Sequence, residues 1–344
     1  MTAHAEFLRV AASDDALAER VKRDFRSASL AREDRLLLEY VETLTLAPWE
    51  LRREHADALY AAGWSASELV HAVLGCAHFN DLNRMADGLG IREEYASSLP
   101  EFEPHDAAIR ERRAPPTSSA PPGPPPGPAP GPPPGPAPGP PPGPAPGPPP
   151  GPPPGPSPGP APGPAPGPAP GPAPGPAPGP GPGPGPAFVP LFDAPADVAP
   201  GEPIALWRAL GERPELVERL RAWRAFQFSP TPALDGPTRA GIALLVAERA
   251  YATTATLRAK AMLQDGGADA ATIDAWSAGS PNSPRLRRIA EHARRLTDEP
   301  ARTTREHVEA LFAHGLDARG VVQLTAFVAW ANFELRAEAG LGLR

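Results

Sequence analysis

The chain has 344 residues, a formal net charge of −7, a single Cys, and 55 Pro beside 33 Gly. One thiol excludes an internal disulfide framework, a Cys-rich zinc site and an intramolecular Cys-x-x-Cys redox pair. No apolar run approaches the ~18 residues of a membrane span.

At the N-terminus, Glu6, Arg9, Asp14 and Asp15 stand where a signal peptide would need an apolar stretch, so a cytoplasmic protein is expected. Residues 1–114 carry 14 basic against 21 acidic residues, and the stretch after the proline tract carries 19 of each. Neither balance offers the basic face that nucleic-acid phosphates require. Leu36, Leu37, Tyr40, Val41 and Leu44 follow the i, i+3/i+4 rhythm of a helix, with Ser29 as a candidate cap. A second helix is expected over Arg53 to Ala62, stopped by Gly63. Ser65 and Glu68 then form a capping-box pattern. It opens a long helix through Leu69, Val73, Ala77, Leu82 and Met85, closed by Gly88 and Gly90.

Of the 55 prolines, 41 lie between Pro115 and Pro186. Proline takes every second position from Pro122, and glycine every fourth from Gly123 to Gly179. Collagen needs glycine at every third residue, so this is no triple helix. Proline fixes φ and removes backbone donors, which excludes helix and sheet and leaves a disordered spacer as the expectation. The chain therefore divides into a helical piece at 1–114, a Pro/Gly-rich linker at 115–187 and a second helical piece at 188–344.

The helical pieces share a repeat. Residues 41–91 align with 293–343 without a gap, at a constant offset of 252. Leu44/Leu296, Thr45/Thr297, Pro48/Pro300 and Arg53-Glu54-His55/Arg305-Glu306-His307 are identical pairs. So are Asn80/Asn332, Arg84/Arg336 and Gly88-Leu89-Gly90/Gly340-Leu341-Gly342. One helical hairpin is present twice.

The segment from Leu44 to Gly90 resembles the AhpD-like (alkylhydroperoxidase, carboxymuconolactone decarboxylase) superfamily. The likeness lies in its L-T-x-x-P turn, the G-W-S-x-x-E helix start and the F-N-x-x-N-R-x-A-D-G-L-G helix end. Residues 200–344 look like a more complete, divergent copy. The resemblance implies an all-α fold of two bundles, assembly as a homo-oligomer or by pairing of the two bundles, and a hydroperoxide substrate. Peroxidases of that family use a Cys-x-x-Cys pair, a His four residues after it and an upstream Glu, because the oxidised thiolate must be resolved by a second thiol. In the second piece those positions fall on Ala252, Ala255, Ala259 and Ala240, or one residue lower on Tyr251, Thr254, Arg258 and Arg239. That copy is expected to be redox-dead. In the first piece His4 takes the place of the relay His, and the Cys pair would precede Met1. Either the thiols were lost or the start codon lies upstream.

Candidate catalytic residues are therefore Cys76, His4 and His78. The competing expectation is an inert core cysteine at Cys76, whose repeat partner is Val328. His71 and His78 lie seven apart on one helix face but have no third ligand at helical spacing, so no metal is expected, nor any other cofactor. Asn80, Asn83, Arg84 and Asp87 form a polar stripe, read as a buried network, a subunit contact or a pocket lining. Two functions remain open: a peroxidase-related AhpD-like protein lacking the Cys pair, or a non-catalytic helical oligomerisation scaffold.

Overall fold

A computed structural model of the chain describes residues 14–91 and 187–343. His4, the proline tract through Pro186 and the residues between Ile91 and that tract lie outside the described residues. Among the described residues every regular element is helical: α1 (Asp15–Asp24), α2 (Arg32–Leu46), α3 (Arg53–Ala61) and α4 (Ala66–Leu89) come first. After the tract follow α5 (Ile204–Ala209), α6 (Pro214–Phe228), α7 (Gly236–Arg249), α8 (Thr253–Asp265), α9 (Ala270–Ser277), α10 (Pro284–Asp298), α11 (Arg305–Ala313) and α12 (Ala318–Gly340). Both described stretches belong to one compact unit.

The repeat is visible in the element boundaries. Helices α2 and α10, the 3-10 turns Pro48–Glu50 and Pro300–Arg302, and helices α3 and α11 each begin and end 252 residues apart. The shared Arg-Glu-His triple is a helix start. His55 Nδ1 accepts from the Arg52 amide and His307 Nδ1 from the Thr304 amide, both at 2.9 Å, which satisfies an amide at each N-terminus. Arg53 and Arg305 then pair with Asp57 and Glu309 one turn on, at 2.8 and 2.7 Å. The longest helix of the first stretch opens on the expected box: Glu68 N donates to Ser65 Oγ at 3.2 Å, and Ser65 N to Glu68 Oε2 at 2.8 Å.

Three details depart from the sequence reading. The N-cap of α2 is Ala31, with no side-chain hydrogen bond, so Ser29 does not cap it. Leu82 lies on the exposed face of α4. Gly88 sits inside α4 and is buried; the chain leaves the helix at Gly90, whose φ of +68° is the left-handed conformation a C-cap needs.

Gly88 has a packing role instead. A Cβ placed there would stand 2.5 Å from Thr325 Cγ2 and 3.1 Å from Leu296 Cδ1. Its repeat partner Gly340 would place one 2.7 Å from Val73 Cγ1 and 3.0 Å from Leu44 Cδ2. Thr325 and Leu296 are themselves the repeat partners of Val73 and Leu44. So α4 and α12 run antiparallel, each end against the beginning of the other, related by a local pseudo-two-fold axis. Each half's core accordingly includes the tail of the other's last helix. Ala337, Leu341 and Leu343 complete a cluster with Tyr40, Leu44, Leu59 and Val73. Leu89 packs in turn on the cluster of Leu245, Ile289, Leu296 and Phe327.

In an open helix interior, Gly→Ala gains about 1 kcal/mol. Here overpacking against stiff, buried β-branched or γ-branched neighbours reverses the sign. Gly88→Ala and Gly340→Ala are each expected to lower the unfolding free energy by about 1–3 kcal/mol, measured by urea titration.

Candidate functional site

Cys76 points inward from the middle of α4. Its Sγ lies 3.3 Å from Thr45 Oγ1, donates to the Val41 carbonyl at 3.6 Å, and lies 3.6 Å from Asn80 Nδ2. Burial pushes this thiol above its ordinary range, outweighing the Thr45 hydrogen bond and the positive charges of Arg336 and Arg84. A reactive cysteine needs the reverse, a depressed pKa and access. His78 does not join it. That residue is on the exposed side of α4, its ring beside Phe79 at 6.2 Å between centroids. His71 is also exposed, with Nδ1 at 2.8 Å from the Ser67 carbonyl.

The polar stripe divides in two. Asn80 and Arg84 are buried, Asn83 is exposed, and Asp87 is half-buried with its carboxyl pushed up by burial. Asn80 Nδ2 donates to Thr45 Oγ1 at 3.1 Å and to the Cys76 carbonyl at 3.0 Å. Its Oδ1 accepts from Arg84 Nη1 at 3.0 Å. Arg84 Nη2 then crosses to the other half and donates to the Thr297 carbonyl at 3.3 Å. The repeat returns the same chain of bonds. Asn332 donates to Thr297 Oγ1 at 3.1 Å and accepts from Arg336 Nη1 at 2.8 Å, while Arg336 Nη2 donates to the Thr45 carbonyl at 3.2 Å. A residue pair retained in both copies thus serves a reciprocal interlock.

A second polar cluster was not foreseen from the sequence. Arg224 of α6, Arg258 of α8, and Glu334 and Glu338 of α12 form one buried ionic network. Arg258 donates to Glu338 and Glu334, both at 2.7 Å, and Arg224 Nε to Glu334 at 2.9 Å. Burial works against the Arg258 charge, but Glu338 and Glu334 more than offset it and raise its pKa. Burial also raises the Glu338 carboxyl, against the pull of Arg258. A signal for this cluster existed. The repeat partners of Glu334 and Glu338 are Leu82 and Ala86, so two carboxylates one turn apart replace apolar positions on an otherwise buried helix.

This network borders the positions to which the family resemblance assigns the thiols and their relay. Ala252 caps α8, and Ala240, Ala255 and Ala259 are buried. Tyr251, at the corner before α8, has a φ of +52°, and Arg239 donates to the Leu234 carbonyl at 3.2 Å. Ala255, Arg258 and Ala259 line a cavity of about 20 Å³ with Trp330, Ala331 and Glu334. That volume holds one water and no organic hydroperoxide. Beside it, Thr254, Arg258, Asp265 and Glu338 border an open groove of about 310 Å³ that also meets Glu202 and Ile204. Among the described residues no three His, Cys, Asp or Glu are grouped to hold a metal ion. Nor is any helix among them long and apolar enough to cross a membrane. Compared with protein-family models, with curated proteins and with solved structures, the chain matches none.

Among the described residues, the one strongly perturbed imidazole is structural. His292, the repeat partner of Tyr40, is buried on α10 with Nε2 3.5 Å from Thr325 Oγ1. Burial, helped by the Arg295 charge and by His307 against Glu291, depresses it from 6.5 to about 4. Above pH 6.5 the ring is neutral in both folded and unfolded chains and contributes no pH dependence. Below that, the unfolded chain binds a proton that the folded one refuses, so stability is lost as pH falls from 6.5 toward 4. At 1.36 kcal/mol per pKa unit the loss approaches about 3 kcal/mol. A His292→Gln variant is expected to lose that part of the dependence, read from urea midpoints at pH 7, 5.5 and 4.5.

Proposed function

We propose that this chain is a non-catalytic helical scaffold with an AhpD-like resemblance, in which the duplicated hairpin builds a self-paired core instead of a peroxidase site. The observation that carries this reading is the surroundings of Cys76. The thiol is half-buried, hydrogen-bonded to Thr45 and shifted toward the protonated form, and the exposed His78 is not within its bonding shell. The second copy supports the same reading: buried alanines and a closed Arg–Glu network occupy the place of a thiol pair. Residues retained in both copies have structural work in each, as helix starts, close glycine contacts or interlocking arginines. Self-pairing of the halves, and a cytoplasmic setting, belong to the same proposal.

The competing reading is a one-Cys peroxidase acting on hydroperoxides through Cys76. The two differ in a single assay. Purified full-length protein and its Cys76→Ser variant are expected to consume organic hydroperoxide in the presence of a thiol reductant at the same background rate. Turnover above background that disappears with Cys76→Ser would overturn the scaffold reading.

A further inference from the structure

The contact between α4 and α12 joins two faces built from the same residues. Thr45/Thr297, Asn80/Asn332, Arg84/Arg336 and Gly88/Gly340 are identical at the constant offset of 252. Their contacts are reciprocal. Arg84 Nη2 donates to the Thr297 carbonyl at 3.3 Å, and Arg336 Nη2 to the Thr45 carbonyl at 3.2 Å. Gly88 lies against Thr325 and Leu296, and Gly340 against their repeat partners Val73 and Leu44.

Identity on both sides makes this face complementary to itself, which is what a two-fold interface between copies requires. Let the second half of another copy take the place of the first half. Arg336 of that copy then stands for Arg84 at the Thr297 carbonyl, and its Gly340 for Gly88 against Thr325 and Leu296. Its Ala329 stands for Ala77, which packs with Trp330 and Phe333. Its Leu341 stands for Leu89 on the core of Leu296 and Phe327. Every one of these substitutions is an identity.

Other contacts favour the first half as the occupant. Tyr60 donates to the Phe188 carbonyl at 2.7 Å, and the Trp49 ring meets Tyr251 edge-on at 5.2 Å. Their repeat partners, Phe312 and Ala301, lack the hydroxyl and the ring. Pairing within one chain also profits from the tether, which makes the partner locally concentrated. Displacing the first half would bare Leu296, Trp330 and Leu341, each of which packs on first-half residues. Association with another copy covers that apolar surface again.

We propose that the face of α12 carrying Asn332, Arg336 and Gly340 is a homodimerisation surface. The first half closes it in the single chain, and the second half of another copy occupies it once the first half is displaced. The argument rests on the internal repeat and is independent of whether Cys76 has any activity.

Sedimentation of full-length protein at micromolar concentration tests it. The unaltered protein is expected at the mass of one chain. Gly88→Trp sets a ring where even a Cβ stands 2.5 Å from Thr325, which expels the first half. That variant is expected at the mass of two chains. Arg84→Glu, which turns a carboxylate toward the Thr297 carbonyl, is a second disruptor and is expected to give the same doubling. Adding Gly340→Trp to either spoils the second half's own face and is expected to return the mass to one chain. A two-chain mass in either first-half variant, abolished by Gly340→Trp, supports the proposal. A one-chain mass in both overturns it. So does a two-chain mass that survives Gly340→Trp, which would place the contact elsewhere, or one already present in the unaltered protein, which would leave the first half no closing role. Amide exchange in α7 and α10 follows the fold of the second half. Loss of that protection in both first-half variants also overturns the proposal, because the second half would then accept no partner but the first.

Discussion

Arg84 and Arg336 set the terms on which this fold exists. A guanidinium in an apolar interior is tolerated only when its donors are met, because desolvating a charge without partners is strongly unfavourable. Each arginine uses the Asn one turn before it for some of those bonds and crosses to the opposite half for another: Arg84 to the Thr297 carbonyl, Arg336 to the Thr45 carbonyl. The Nη2 of each arginine thus finds an acceptor in the opposite half. The reach is available because Gly88 and Gly340 let α4 and α12 approach to a distance that a Cβ would forbid. Polar need and close approach are therefore one constraint, and they couple the halves of the repeat into a single unit.

Around that symmetric skeleton the two copies have diverged, and the divergence follows what each position faces. Tyr40 donates to the Gly340 carbonyl at 2.6 Å, whereas its partner His292 is held neutral by burial. Cys76 sits among Thr45, Val41 and Asn80, whereas Val328 at the equivalent position is fully buried in an apolar cluster. Leu82 and Ala86 have become Glu334 and Glu338, accompanied by Arg258 and Arg224 on other helices. The last exchange has the largest electrostatic consequence, since an ionised carboxylate buried without a positive partner is strongly unfavourable.

How much of this could be read from residues alone depended on whether the information was local. The capping box at Ser65, the stops at Gly63 and Gly90, and the register of the repeat are short-range and are found where expected. Gly88 was misread as a helix stop because a glycine near a helix end satisfies two patterns, a left-handed C-cap and a close helix contact. Only the position of Thr325 tells them apart. Asn80 and Arg84 share one helix face with the buried Val73 and Ala77, so their burial was legible. Asn83 belongs to the same polar run but points to the outer face. The carboxylates of the Arg–Glu network left a trace in the repeat, but their partners were illegible for a different reason. Its four residues come from α6, α8 and α12, and no spacing within any one helix announces that Arg224 and Arg258 meet the same carboxylate.

Duplication within one chain also changes the energetics of pairing. The 95 residues from Arg92 to Pro186 separate the halves in sequence. For a flexible loop of that length the general closure term is about 4 kcal/mol plus a constant, and a doubling adds only about 0.6 kcal/mol. A buried leucine or valine contributes about 1.5–3 kcal/mol, so a few of the contacts among Leu44, Val73, Ala337 and Leu341 offset the closure term. Loop length by itself is thus a weak lever on the core. The same tether removes the requirement that both halves be identical, which a homodimer of the single repeat would impose. One half can then bury a charged network on α12 while the other keeps the corresponding face of α4 apolar, without either change being forced on its counterpart.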